Sequence, residues 1–249
     1  MSELQKYSFD GIYGLIDLIE GNVNIETSFW NYDEKYFIEH SAKFNKETLL
    51  HQYFVVTCLN DYWRDFRKST DWYEEEGILD DWYEKFNQYN ISIPKYKPRK
   101  NYDAYKWFSR HIDKFELLFE NLSNEAFYIL FNNRDFLLKF NKIVSDTVYD
   151  LSSEYPEKFI TKKGTIKRTN IPVWVKKAVF HRDKGRCVFC NTDLTNLINT
   201  FTKNNFDHIV PLDLYGANDP CNIQLTCERC NKTKSNSEPS TSSKYYSWW

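Results

Sequence analysis

Two cysteine pairs constrain the fold of this 249-residue chain more than any other feature. Two residues separate Cys187 from Cys190, and two separate Cys227 from Cys230. A C-x-x-C turn supplies two thiolates to one side of a tetrahedral zinc ion, and a second turn completes a closed site with no position for water. We therefore predict a structural zinc ion that staples residues 187–230, a segment too short to build a robust core of its own.

The rest of the sequence indicates a reducing compartment, where clustered thiols bind metal. The chain opens on Met1-Ser2-Glu3, without the basic start and apolar stretch of a secretory signal. Its longest apolar runs, such as 126–131, are far shorter than the ~18 residues of a membrane span. We expect a soluble cytoplasmic protein that does not enter membranes, in which clustered thiols favour zinc over disulfides. Cys221 lies outside both pairs, and we interpret it as a packing residue.

Charge divides the chain unevenly. Residues 1–160 hold 19 Lys and Arg against 28 Asp and Glu, whereas residues 161–249 hold 14 against 7. An acidic front and a basic back indicate two different tasks. The basic part is the natural candidate for a polyanionic partner, because contacts to phosphate dominate nucleic-acid affinity.

The front of the chain reads as mostly helical. Apolar residues recur at three- and four-residue spacing along 115–131 and again along 136–148, with polar residues between them. Pro94 and Pro98 mark residues 91–100 as a loop between helical halves. Four cations lie in that loop: Lys95, Lys97, Arg99 and Lys100. We favour a solvated loop for this patch, and a surface that steers DNA is the alternative.

These patterns give a domain plan. We predict an α-helical domain at residues 1–155, a basic linker at 156–171, a zinc-stapled domain at 172–238 that opens with a helix at 173–182, and a polar tail at 239–249. The helical domain is acidic and rich in Trp and Tyr, which favour interfaces. We expect it to bind a regulatory protein partner or to form a homo-oligomer. The aromatic residues at the end of the tail could dock on the rest of the protein.

A second set of polar residues lies between and just after the cysteine pairs. Asp207 and His208 are adjacent, Asn222 follows a loop that contains Gly216, and Asn231 comes directly after the second pair. A neutral imidazole near pH 7 suits a general base, which favours His208 in that role. Carboxylate and amide oxygens such as those of Asp207 and Asn231 suit Mg²⁺ or Mn²⁺ better than thiolates do.

Together these motifs resemble the HNH endonuclease family over about residues 170–238, including the lead-in Arg182-Asp183-Lys184-Gly185 before the first cysteine pair. The third position of the family motif is Asn231, so the site is an HNN variant. The resemblance implies a small ββα-metal, treble-clef-like nuclease domain, and hence an α+β chain that is mainly α. It also implies that Asn222 braces the loop and orients His208.

The resemblance implies a reaction and its ligands. His208 would activate water on a single divalent cation held by Asp207 and Asn231, Mg²⁺ or Mn²⁺, which acts as Lewis acid at the scissile phosphate. Lys232 and Lys234 on the closing helix, with Arg186 in the lead-in, are candidate nucleic-acid contacts. The histidines at 40, 51, 111 and 181 carry no motif, and we interpret them as structural or solvent-facing residues.

The sequence thus predicts a metal-dependent endonuclease that acts on DNA, in double-stranded form. Its architecture, an acidic helical region joined to a nuclease, is similar to that of effectors of bacterial antiphage defence. Two alternatives remain at this point: an RNA-cleaving toxin, and a non-catalytic zinc module that binds nucleic acid or protein. Joint retention of Asp207, His208 and Asn231 favours catalysis, because binding alone requires none of them.

Overall fold

The computed structural model describes residues 6–24, 34–152, 158–195, 205–235 and 238–245. These residues contain ten α-helices and one antiparallel two-stranded sheet. The helices are α1 (Ile12–Asn24), α2 (Glu34–Ser41), α3 (Leu49–Lys68), α4 (Thr70–Tyr73), α5 (Asp80–Gln88), α6 (Ala104–Arg110), α7 (Ile112–Leu130), α8 (Arg134–Leu151), α9 (Val173–Arg182) and α10 (Glu228–Lys234). The strands are β1 (Phe206–His208) and β2 (Ile223–Leu225). The expected α+β class, mainly α, is confirmed, and none of the described helices is both long and apolar enough to span a bilayer.

The chain divides into two compact units. The first comprises Met1–Ile19 and His51–Phe127, and the second comprises Glu20–Leu50 and Tyr128–Trp249. The second unit therefore contains the cysteine pairs together with α2, α8 and α9. This division does not follow the segments 1–155 and 172–238, which stay a prediction about domains.

An aromatic core holds the first unit together. Phe66 stacks on Tyr73 at 3.8 Å and on Phe108 at 4.5 Å between ring centroids, and Phe115 contacts the edge of Phe86 at 5.0 Å. Phe66, Phe86, Phe108 and Phe115 are each 0% exposed. Buried aromatic pairs of this kind add about 0.5–1.5 kcal/mol beyond their area burial. Most of the apolar stripe predicted along residues 115–131 is buried on α7, where Phe115, Leu118, Phe119, Leu122 and Leu130 are each at most 1% exposed.

Helix α8 forms a wall of the second unit. Asn133 caps it by accepting a hydrogen bond from the Phe136 amide at 3.2 Å, which satisfies one free N–H of the first turn. The predicted stripe is buried along the whole helix: Phe136, Leu137, Phe140, Ile143, Val144 and Val148. Asn141, 1% exposed, donates to the carbonyl of Cys221 at 3.0 Å, so the helix bonds directly to the turn that precedes β2.

The segment before α3 also bonds to that turn. Asp219 accepts hydrogen bonds from the Leu49 amide at 2.9 Å and from the Cys221 amide at 2.8 Å. The amide of Asn218 donates to the Ser41 carbonyl at 2.8 Å, and its side chain donates to Ala42 at 3.1 Å. Both side chains are at most 1% exposed. Residues 41–49 are therefore part of the scaffold that positions the sheet.

Residues 158–167, within the segment predicted to be a basic linker, form a short hairpin. Thr161 donates its amide to the Thr165 carbonyl at 2.8 Å, and the amide of Lys167 donates to Phe159 at 3.0 Å. Ile160 is 3% exposed and Ile166 is 1% exposed, so apolar burial anchors the hairpin. The role of residues 156–171 as a linker between domains stays a prediction.

Substituting Gly216 is the sharpest test of this scaffold. A Cβ atom at this position would lie 2.1 Å from the carbonyl oxygen of Val210, in the loop that follows β1. Because backbone atoms must shift to admit it, we expect Gly216→Ala to lower the free energy of unfolding by about 3 kcal/mol. Gly21→Ala is the matched control, because no heavy atom lies within 4 Å of its Cβ and the helix should gain roughly 0.5–1 kcal/mol. Urea denaturation measures both, and equal midpoints would contradict the prediction.

Candidate functional site

The four paired cysteines converge on one point. All four Sγ atoms lie within 4.8 Å of one another, and those of Cys190 and Cys227 are 3.6 Å apart. A tetrahedral zinc ion with bonds of about 2.3 Å places its sulfur ligands about 3.8 Å apart. The cluster therefore fits a structural zinc ion, as the spacing of the two pairs predicts. Cys221 lies outside the cluster, buried with its Sγ 3.7 Å from the Thr48 hydroxyl.

Local turns aim these thiols inward. Cys227 is the N-cap of α10, where its Sγ accepts a hydrogen bond from the Cys230 amide at 3.4 Å. The first pair lies in a turn that Asn191 closes with a positive φ of 60°, and the Asn191 amide donates to the Cys187 carbonyl at 2.9 Å. Burial opposes ionisation of Cys190, but hydrogen bonds with Thr192 and with the neighbouring thiols outweigh it and lower the pKa of Cys190 to about 6. Burial raises the pKa of Cys187 and Cys230, so the proton is lost first at Cys190. A thiolate is the form that binds metal.

The lead-in to the cluster holds the sheet in place. Arg182 forms a two-pronged ion pair with Asp183, both contacts 2.9 Å, and donates to the Ile223 carbonyl at 2.7 Å. Asp183 in turn accepts from the Leu225 amide at 2.9 Å. Both side chains are at most 2% exposed. They therefore fix β2 at each end, a role that the motif alone does not reveal.

Asn222 braces the loop after β1. It is 0% exposed, accepts a hydrogen bond from the Val210 amide at 2.8 Å, and donates to the carbonyls of Val210 at 3.0 Å and Ala217 at 2.9 Å. Its own carbonyl accepts from the Ile209 amide at 2.7 Å. These contacts immobilise the two residues that follow His208, and they are the kind of contacts that a bracing role requires.

Asp207 lies on β1 opposite Gln224 of β2. Its carboxylate is 2.9 Å from the ammonium of Lys234 and 3.3 Å from the amide nitrogen of Gln224. The Lys234 ammonium also donates to the carbonyl of His208 at 2.7 Å, and its side chain is 4% exposed. Lys234 is thus bonded to the candidate metal ligand in this structure, and a contact to phosphate stays a prediction. The sequence does not predict the ion pair between Lys234 and Asp207, because this contact depends on the orientation of α10.

His208 is buried at the end of β1, with 3% of its surface exposed. Its Nε2 has no hydrogen-bond partner among the described residues. Burial lowers the pKa of His208 to about 3, the cations Arg168 and Lys234 act in the same direction, and the side chain of Asn218 opposes them. The imidazole is therefore neutral at pH 7.

Asn231 lies within α10, four residues after Cys227. A role as the N-cap of the helix is excluded, because Cys227 holds that position. Asn231 and Lys234 are three residues apart and share a helix face. Lys234 bonds to Asp207, and a position for the Asn231 side chain beside the same carboxylate stays a prediction.

The other predicted nucleic-acid contacts have partners of their own. Lys232 is 2.6 Å from Glu228, with a side chain that is 75% exposed. Arg186 is 3.2 Å from Asp193 and is bonded within the first cysteine turn. Arg168, exposed and close enough to His208 to lower its pKa, is a candidate that the sequence placed only in a linker. In the sequence, the feature that could have indicated Arg168 is its position as a cation shortly before helix α9.

The described part of the tail is bonded to the sheet and to α8. The Ser240 amide donates to the Ile209 carbonyl at 3.1 Å, and the Ser240 carbonyl accepts from Gln224 at 2.9 Å. The Tyr245 hydroxyl accepts from the Arg134 amide at 2.8 Å and donates to the Asn132 carbonyl at 3.0 Å. Docking of the tail, an open possibility from the sequence, is thus observed for Tyr245. Residues 246–249 lie outside the described residues.

The site combines four converging thiols with Asp207 and His208 on β1, Asn222 before β2, and helix α10. We compared the chain with known proteins. Residues 187–237 match the family model HNH endonuclease. This HNH segment contains both cysteine pairs and the polar residues that resemble the family motif, and the match does not extend into the helical front. Searches of curated proteins and of solved structures each found no match for the chain.

Proposed function

We propose that this protein is a metal-dependent HNH endonuclease that hydrolyses phosphodiester bonds of double-stranded DNA. The observation that carries the proposal is the joint placement of Asp207, His208 and Asn222 around one rigid strand end inside the HNH segment. A binding module would not need a buried, neutral imidazole held by an asparagine brace. The zinc cluster supplies the frame, because a closed four-thiolate site leaves no open position for chemistry.

His208 acts as the general base in this proposal. Its imidazole is neutral at pH 7 and its Nε2 has no hydrogen-bond partner among the described side chains. This nitrogen accepts the proton of an attacking water once water enters the site and relieves the burial that lowers the pKa of His208. Asn222 fixes the backbone at Ile209 and Val210 and thereby the direction of the imidazole. Because the side chain is 3% exposed, water must enter the site for His208 to act.

Asp207 and Asn231 are the residues that would hold the catalytic cation. They offer hard oxygen atoms, and Asn231 lies on α10, the helix whose Lys234 bonds to Asp207. A bound Mg²⁺ or Mn²⁺ supplies a Lewis acid at the scissile phosphate. In this structure Lys234 neutralises the Asp207 carboxylate from 2.9 Å. Lys232, Arg186 and Arg168 supply further positive charge for the phosphate backbone.

Cleavage of plasmid DNA tests this proposal directly. Purified full-length protein should convert supercoiled plasmid to nicked or linear forms when Mg²⁺ or Mn²⁺ is added, and should leave it intact without added divalent cations. A parallel series with single-stranded DNA and with RNA tests the RNA-cleaving alternative. Cleavage of RNA alone would overturn the DNA assignment, and binding without cleavage of any substrate would favour the zinc module.

The biological setting stays a hypothesis. The similarity in architecture to antiphage effectors, an acidic helical region joined to a nuclease, is its basis. A protein partner or self-association through the helical front also stays a prediction.

A further inference from the structure

The first unit carries a concave basic surface. Six side chains line it, four from the loop after α5 and two from the end of α6: Lys95, Lys97, Arg99, Lys100, Arg110 and His111. Pro94, Tyr102 and Trp107 complete the wall around a volume of about 390 Å³. We call this surface the basic concavity.

The scaffold of the basic concavity is ordered. Trp107, 1% exposed, donates its indole N–H to the Pro94 carbonyl at 2.8 Å. The Tyr96 amide donates to the hydroxyl of Tyr83 at 2.7 Å, and the Tyr102 amide donates to the Arg99 carbonyl at 2.9 Å. These bonds anchor both ends of the loop. Its cations are displayed from a fixed backbone, which reduces the entropy lost when a ligand binds.

Within the described part of the chain, the cations of this surface have few acidic neighbours. Residues 91–111 contain six Lys and Arg against one acid, Asp103. Asp103 is 3.4 Å from Lys106 and caps α6. No carboxylate of the described residues lies within 4.0 Å of the charged groups of Lys95, Lys97, Arg99, Lys100 or Arg110. By contrast, residues 51–90 of the same unit hold nine Asp and Glu against four Lys and Arg.

Aromatic rings lie among these cations. The Lys95 ammonium is 5.1 Å from the centroid of the Tyr83 ring, and the Arg110 guanidinium is 5.7 Å from that of Tyr102. Cations interleaved with aromatic faces are the composition of surfaces that bind nucleic acids. The loop cations are all exposed, so the surface offers several separate charges side by side instead of one enclosed anion pocket.

We propose that the basic concavity binds the phosphodiester backbone of the nucleic-acid substrate and gives the enzyme a second contact surface on its helical unit. This inference rests on the proposed function for the identity of the ligand. Several exposed, unpaired cations on a rigid loop match a polyanion with regularly repeated charges. Contacts of this kind are independent of base sequence, since they reach only phosphate oxygens.

A salt titration of DNA binding tests the inference. The probe is a fluorescent DNA duplex, and the wild-type full chain is used without added divalent cations, so that binding is measured apart from cleavage. Each phosphate contact contributes about −0.9 to the slope of log K against log salt concentration. We expect Arg99→Ala/Lys100→Ala to reduce the magnitude of that slope by about 2 and to weaken binding about tenfold at moderate salt, equally for unrelated sequences.

Arg64→Ala/Lys114→Ala is the matched control. It removes one Arg and one Lys from the same unit, but these cations are paired with Asp61 at 3.1 Å and Asp113 at 3.4 Å. Its slope should equal that of wild type. An unchanged slope in Arg99→Ala/Lys100→Ala, or an equal change in the control, would overturn the inference. If wild type binds DNA through these cations but never cleaves, the basic concavity stands while the proposed nuclease function fails.

Discussion

Replacing His208 with alanine is expected to lower the rate of plasmid cleavage by about 10²–10⁴-fold, the range that general base catalysis contributes. The imidazole is neutral at pH 7 because burial lowers its pKa, and neither Lys234 nor Gln224, which bond to Asp207, offers a comparable proton acceptor. Initial cleavage rates in saturating Mg²⁺ measure the effect.

His181→Ala is the control for this experiment. His181 lies at the exposed end of α9, within the same unit, and its removal should leave the rate at the wild-type value. Because alanine at a buried position also creates a cavity, each variant must retain its zinc and its unfolding midpoint. If His208→Ala unfolds, Asp207→Asn is the alternative variant, because it preserves side-chain volume. It should also lose cleavage activity. A folded His208→Ala protein that cleaves plasmid DNA at the wild-type rate would contradict the role of His208 as general base.

Replacing Cys227 with serine is expected to remove the zinc ion and unfold the cysteine-stapled part of the second unit. Cys227 has two roles, as one of four converging thiols and as the N-cap of α10. Structural zinc contributes about 10–16 kcal/mol of apparent binding free energy at pH 7, far more than a domain's net stability. Metal analysis should fall from about one zinc per chain to none, with loss of cleavage.

Cys221→Ala is the matched control, because this buried thiol lies outside the cluster. It should retain one zinc per chain and tolerate a modest loss of stability. Two results would contradict the structural zinc site. One is wild-type protein that contains no zinc after purification, and the other is a Cys227→Ser protein that keeps both its zinc and its unfolding midpoint.

Local spacing explains which parts of the site could be predicted from the sequence. A C-x-x-C turn fixes the separation of its own two thiols. The sequence alone therefore predicts the cluster of four thiols: Cys187, Cys190, Cys227 and Cys230. The helix expected at 173–182 is observed at those residues for the same reason, since Pro172 before it and Lys184-Gly185 after it delimit it locally.

Contacts between distant segments explain what was missed. The ion pair of Asp207 and Lys234 depends on how α10 packs on the sheet, which no periodicity records. The membership of residues 20–50 in the second unit depends on single buried polar contacts such as that of Asp219 with Leu49. Composition alone does not predict the hairpin at residues 158–167, which depends on the burial of Ile160 and Ile166.

The bond between Leu49 and Asp219 joins residues that are 170 positions apart in the chain. Ribosomes add about 5–20 residues per second, so residues 41–49 wait roughly 10–30 s for their partners during synthesis. A nascent or prematurely terminated chain that stops before Cys227 lacks the second thiol pair, α10 and Asn231. The proposed site is therefore complete only after α10 has been synthesised, and a chain interrupted before Cys227 cannot form it.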